Sequence, residues 1–447
     1  MIEELIEDVR VLLAKRHFKA ALRRLVPMEP DTPDRDLLMG IALLGRREVA
    51  EATRHLRAAL ARAPADPTVL FHMGHALMAG NDMLGAVRRF ERVLALAPDF
   101  PDIQAVLAQA YRRDARYEDA IRMAEAVLAR GMSVDALYEK AISLSFLGDP
   151  AGALASYDAL LRFEPTHAAG WFGSHAPALN EIGMEAALER LRRAVGCAGA
   201  NGRYWAFLCA YLLLLGREAE AKAVFDDKVA NNPKRLPLVE GVQAIRPHLS
   251  PDARLFGVSA ELLRWTLDRA TVSGLVLEFG VRRGTSINHI AERAGQTVHG
   301  FDSFEGLPEA WVNGPHGLLS TGRQLPPVRD NVVLHPGWFE DTLPPFLRAH
   351  DGPVRFVNID SDIYSSARTV LTALAPRIRV GTVLVFDEYI GNRSWREDEH
   401  KAFQEFVRDW RIAYECIAVS PFTKQVAVRI TALGEGASDP VAAERTG

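Results

Sequence analysis

The chain is poor in cysteine. Its 447 residues hold three, Cys197, Cys209 and Cys416, with no close pair, so neither a disulfide framework nor a cysteine zinc site is expected. Positive charge is not in excess: 53 Lys and Arg face 57 Asp and Glu, for a formal net charge of −4. That balance offers no electrostatic footprint for nucleic acid or an anionic membrane, and neither is an expected partner. Long hydrophobic runs are missing too, since the longest, "YWAFLCAYLLLLG", is too short to span a bilayer. The opening "MIEELIEDVRVLLAKR" sets acids among its apolar residues and has no small-residue cleavage site. It reads as an amphipathic helix rather than a signal peptide, and a cytoplasmic location is expected. The 48% hydrophobic and 25% charged fractions are those of a globular protein, and the length exceeds one ordinary core.

What is present in the first half is a period. Alanine recurs at Ala52, Ala86, Ala120, Ala153, Ala187 and Ala221, at spacings of 34, 34, 33, 34 and 34. Twelve residues earlier stand Gly40, Gly74, Ala108, Ala141, His175 and Cys209, nearly all small; twelve later stand Pro64, Pro98, Pro165 and Pro233. Paired amphipathic helices need small residues where their backbones approach, and a proline stops the second helix before the next unit. The pattern resembles the tetratricopeptide repeat and predicts a helical solenoid over residues 1–240. Such a surface would bind a protein partner or a second copy of itself, and the aromatics and histidines within it are expected to be helix packing.

Residues 241–257 read as a proline-containing linker, after which the pattern changes. The runs "GLVLEFG", "TVHGFD", "NVVLHPG", "VRFVNID" and "GTVLVFD" alternate with helical stretches, as parallel strands covered on both faces should. "AYECIAVS" and "KQVAVRI" follow as an antiparallel hairpin. The expectation over 258–432 is a Rossmann-like, doubly wound, seven-stranded sheet, giving an α + α/β two-domain chain with a disordered tail at 433–447.

The first of these strands runs into "LEFGVRRGTS", residues 277–286. A dinucleotide turn would need glycine where Arg282 stands, and a phosphate-binding loop would need lysine after Gly284. Asp302, 22 residues past Gly280 at the end of the next strand, can accept hydrogen bonds from ribose hydroxyls. Glu278 suits a cationic ligand group and repels a pyrophosphate. A nucleoside with a cationic tail and no phosphate fits, namely S-adenosylmethionine. The plainer alternatives are a glycine turn kept for backbone reasons and Asp302 as a helix cap.

Two later strands end in "NIDSDIYSS" and "VFDEY". Parallel strand ends converge, so Asp360, Asp362, Asp387 and Glu388 could meet in one site, where hard oxygen ligands suit Mg²⁺. The alternative is a set of solvated loop acids.

Together with "HGFDSFEGLPEAW", "GWFEDTLPPFL" and "GTVLVFDEYIGNRSWREDEHKAFQEF", these segments resemble the macrocin O-methyltransferase family across roughly residues 255–431. The resemblance implies a class I, S-adenosylmethionine-dependent, Mg²⁺-assisted enzyme that methylates a hydroxyl of a sugar or glycosylated small molecule. It implies cofactor contacts at Glu278, Gly280, Gly284, Ser286, Asp302 and Ser303, with Phe304 or Trp338 near the adenine. It implies metal ligation at Asp360, Asp387 and Glu388, the last a departure, because relatives often carry Asp or Asn there. Ile363 stands where catechol-type relatives place a lysine, leaving Asp362 and His400 as candidate bases. Trp311, Trp338 and Trp395 are candidates for a sugar platform, and the polar connection 314–327 for a closing loop. Two rival readings are a glycosyltransferase with a metal-bound nucleotide sugar and a non-catalytic repeat scaffold.

Overall fold

A computed structural model describes residues 2–32, 34–311, 314 and 316–434. The tail expected to be disordered lies outside the described residues from position 435 on. The chain divides into two compact units, Met1–Glu139 and Lys140–Gly447.

The first unit is built of antiparallel helix pairs, and the small residues of the period explain why they form. A Cβ added at Gly40 would come within 2.5 Å of Leu56, and one at Gly74 within 2.5 Å of Phe90. Ala52, Ala86, Ala108 and Ala120 are fully buried at the same crossings. Asp66, ahead of the helix Pro67–Ala79, accepts hydrogen bonds from the Thr68 and Val69 amides, with proline at the first helical position.

The second unit continues the helical pairs and then forms one sheet. Its strands are β1 (Leu249–Leu255), β2 (Leu275–Phe279), β3 (Val298–Asp302), β4 (Val332–Pro336), β5 (Val354–Ile359), β6 (Val383–Phe386), β7 (Ala413–Ser420) and β8 (Gln425–Ala432). Their order is β1-β7-β8-β6-β5-β2-β3-β4, and only β8 runs antiparallel to its neighbours. The seven strands expected from the sequence are present, and β1 adds an eighth at the edge. It lies inside the segment expected to be a linker. "LSPDARL" lacks alternation and carries Pro251, which an edge strand tolerates because one side of it bonds to nothing.

The helices of this unit cover the sheet. A single apolar cluster runs from Leu188, Tyr211 and Val239 to Phe386, Phe403 and Val428. The Gly257 amide donates to Asn180 Oδ1 (3.0 Å), and a Cβ at Gly257 would strike the Ala176 carbonyl. Among the described residues no helix is long and apolar enough to cross a membrane.

Candidate functional site

The sheet changes direction between β2 and β5. From β2 the chain adds β3 and β4 on one side, then returns to place β5 and β6 on the other. The loops leaving β2 and β5 therefore diverge and open a crevice at the carboxyl ends of the strands. Gly280, directly after β2, has φ +97°, and a Cβ there would lie 1.8 Å from the carbonyl oxygen of Asp360, directly after β5. Only glycine permits both the left-handed backbone and that approach. The Gly280 amide donates to Phe301 O (2.9 Å) and the Asp360 amide to Phe279 O (2.8 Å), so three strand ends are locked together.

A cavity of about 660 Å³, open solvent at its mouth included, fills this crevice and is lined by Gly280, Arg282, Asp302, Ser303, Trp338, Asp360 and Asp362 among others. Asp302 is fixed from behind: Oδ2 accepts from the Arg282 amide (2.7 Å) and Oδ1 from the Phe304 amide (2.6 Å). A carboxylate has about four acceptor positions, so both oxygens keep capacity for further donors. Burial raises its pKa, and these amide bonds work against that rise. Glu278 is fully buried within β2. Its Oε1 accepts from Ser286 Oγ and from Asn358 Nδ2 (3.1 Å), while Oε2 is buried with no hydrogen-bond partner. Burial pushes its pKa up to about 8, against the two hydrogen bonds and with added repulsion from Asp387 and Asp302. An orphaned, buried carboxylate oxygen is costly unless a ligand donates to it, and a cationic donor suits it best.

Asp360, Ser361 and Asp362, after β5, form the other wall, and the acidic end of β6 lies beside them. Glu399, fully buried at the start of the helix Glu399–Asp409, ties them together. Its Oε1 accepts from the amides of Ser361 (3.0 Å) and Asp362 (3.2 Å), and its Oε2 from the amide of Glu388 (3.3 Å). Asp362 itself is held at φ +64°. Burial, then repulsion from Asp387 and Asp362, drives the Asp360 pKa well above the usual carboxylate range. Asp362 is raised by burial and by Glu388 and Asp387. Asp387 is pushed up to about 7 by burial and Glu388, and accepts a bond from Gln425 Nε2 (2.6 Å). Glu388 differs from the others. Lys424 Nζ lies 2.8 Å from its Oε2, and Asn392 donates to the same oxygen. Among the described residues no group of three or more His, Cys, Asp and Glu side chains is arranged to hold a metal ion. Of the trio expected to hold Mg²⁺, Glu388 is already paired with an ammonium, whereas Asp360 and Asp387 make no such ion pair among the described residues.

Of the residues named from sequence, Gly280, Asp302, Ser303, Trp338, Asp360 and Asp362 line one cavity, whereas Glu278, Asp387 and Glu388 are not among its lining residues. Gly284, at φ +81°, caps the helix Thr285–Ala294, and Ser286 holds Glu278. Phe304 is buried in the apolar cluster around Val281 and Ile287, so of the two aromatics only Trp338 borders the cavity. His400 is not among the lining residues. Its ring packs against Trp395 and Tyr389 (centroids 4.7 and 5.0 Å), and burial lowers its pKa to about 4. Trp395 is likewise buried in packing, while Trp311 Nε1 donates to Asp398 (3.3 Å). Residues 316–327 of the polar connection fold back onto the site: the Arg323 amide donates to Phe304 O (3.0 Å), and Leu319 lines the cavity. Sequence reasoning missed Arg282 as a lining residue, Glu399 and Lys424. Arg282 stood inside the motif, but the other two give no local signal.

Residues 277–389 match the model of a methyltransferase domain family, and residues 77–144 match that of the tetratricopeptide repeat. Both matches fall where the sequence resemblances place them. A curated relative is the 8-demethyl-8-(2,3-dimethoxy-alpha-L-rhamnosyl)-tetracenomycin-C 4'-O-methyltransferase of Streptomyces olivaceus, 33% identical over 26% of this chain and 54% of that protein. Another is the demethyldecarbamoylnovobiocin O-methyltransferase of Streptomyces niveus, 29% identical over 27% of this chain and 54% of that protein. The solved structure of the O-methyltransferase NovP aligns at 25% identity over 39% of this chain and 79% of that one, with a TM-score of 0.31. The chain spans about half the length of the curated relatives it matches.

Proposed function

We propose that the chain is a cytoplasmic, S-adenosylmethionine-dependent O-methyltransferase acting on a hydroxyl of a sugar or glycosylated small molecule. The observation that carries the reading is the contact between Gly280 and Asp360, which joins the donor turn and the acidic strand ends in one crevice. Asp302 would take the ribose hydroxyls, Trp338 the adenine, and the orphaned oxygen of Glu278 the amino group of the methionyl tail. The names of the curated relatives support a glycosylated acceptor.

In the proposed reaction the acceptor oxygen attacks the sulfonium methyl in line. The O–C bond forms, the C–S bond breaks with its electrons going to sulfur, and S-adenosylhomocysteine leaves. Asp362, which lines the cavity, takes the hydroxyl proton; its raised pKa makes it a stronger base than an exposed carboxylate. Holding oxygen and methyl at near-attack distance would supply most of the acceleration, since the sulfonium is already a good leaving group. No step is assigned to Mg²⁺, given the engagement of Glu388. The repeats would bind a protein partner or a second copy of the chain.

Methyl-labelled S-adenosylmethionine incubated with the protein and a panel of glycosylated aglycones tests the proposal. Label in an ether of the sugar is expected; label in no acceptor, with calorimetric binding of a nucleotide sugar in place of the donor, would contradict it.

A further inference from the structure

The turn between β7 and β8, residues 421–424, enters the acidic edge of the site from a strand pair that the reaction described above does not use. Lys424 sits at its end in the left-handed region, φ +62°. Its Nζ lies 2.8 and 3.3 Å from the two oxygens of Glu388 and donates to Asn392 Oδ1 (2.7 Å). This is no freely moving surface lysine. The Ile390 amide donates to Lys424 O (3.4 Å), and the stem of Lys424 lies within 3.3 Å of where a Cβ on Gly391 would be. Two residues earlier, Phe422 packs on Phe172 and His175 of the helix Ala168–Glu181, with ring centroids 5.7 and 5.1 Å apart. The loop that receives the lysine is anchored as well: Arg396 pairs with Glu240 at 2.6 Å. Helices at the end of the repeat region thus seat both sides of the contact.

We propose that Lys424 is the resident cation of the acidic strand ends: its ammonium, in place of a divalent ion, neutralises Glu388 and positions the loop that carries it. Lys424 is therefore a positioning residue, and its catalytic meaning rests on the function proposed above. Several carboxylates gathered at the same strand ends need compensating charge, or some of them stay protonated. The lysine supplies one positive charge covalently, 2.8 and 3.3 Å from the two oxygens of Glu388. Glu388 reaches toward the β7–β8 turn, where Lys424 meets it.

The test is Mn²⁺ titrated into the full-length protein and followed by electron paramagnetic resonance. Glu388→Gln is expected to leave Mn²⁺ affinity within about threefold of wild type, because that carboxylate is already occupied. Lys424→Met frees it, and Mn²⁺ should then bind at least about tenfold more tightly. Lys424→Arg should behave as wild type, and the double variant Lys424→Met with Glu388→Gln should return to it. Weakening beyond threefold in Glu388→Gln, or no tightening in Lys424→Met, overturns the proposal. If Lys424→Met fails to fold in thermal unfolding, Glu388→Gln decides alone. Calorimetry with S-adenosylhomocysteine on the wild type separates the two claims: absent binding sinks the proposed function and leaves the Mn²⁺ comparison standing.

Discussion

Single residues carry the chemistry of this crevice, and their environments say how each should respond. Gly280→Ala would force a left-handed backbone and push a methyl into the Asp360 carbonyl. The expected cost is about 2–4 kcal/mol of stability in thermal unfolding, with donor binding lost. Glu278 predicts a pH dependence. Burial raises its folded pKa to about 8, above the unfolded carboxylate range, so between the two the folded state holds a proton that the unfolded state has released. Its contribution to stability therefore falls as pH rises through that window and levels off above about 8. A cationic donor favours the ionised form. Donor affinity should rise with pH toward 8, by up to about tenfold per unit, with a proton released on binding. Calorimetry in buffers of different ionisation enthalpy measures that proton, and Glu278→Gln should abolish it.

At the scale of elements, the strand ends and the turn after β2 were legible because their signals are local. Apolar runs ended in carboxylates, and two glycines stood at a strand–helix junction. What stayed hidden is set by tertiary packing. β1 has no alternation of its own and exists because β7 offers it an edge. Glu399 looks like any acid opening a helix, and its neighbour His400 drew the candidacy for base. Successive residues on a helix point about 100° apart. Glu399 turns to the backbone of the acidic strand ends, while His400 turns to Trp395 and Tyr389. Glu399→Gln keeps one acceptor but sets an amide donor against the Ser361 and Asp362 amides or against the Glu388 amide. It should cost about 1–3 kcal/mol and lower kcat more than it raises KM, measured by thermal unfolding and steady-state kinetics.

For the whole molecule, the informative fact is where the chain divides. Periodicity assigns residues 1–240 to the repeats, yet the compact second unit begins at Lys140, because the later helices share an apolar cluster with the sheet. A chain beginning at Lys140 is expected to fold with a single cooperative thermal transition. A chain beginning at residue 258, stripped of those helices and of β1, should show no such transition by circular dichroism. Cooperative folding of the shorter piece would mean that the repeats are an appendage, joined to a self-sufficient α/β domain.

The central claim is that the turn at Gly280 and the acidic end of β5 enclose one S-adenosylmethionine site. The most direct measurement is a calorimetric titration of S-adenosylmethionine into the wild type and into Asp302→Ala. One molecule per chain at a Kd of ~1–100 μM is expected for the wild type, weakened at least about tenfold in the variant. No binding to the wild type, or equal binding to both, would contradict the account.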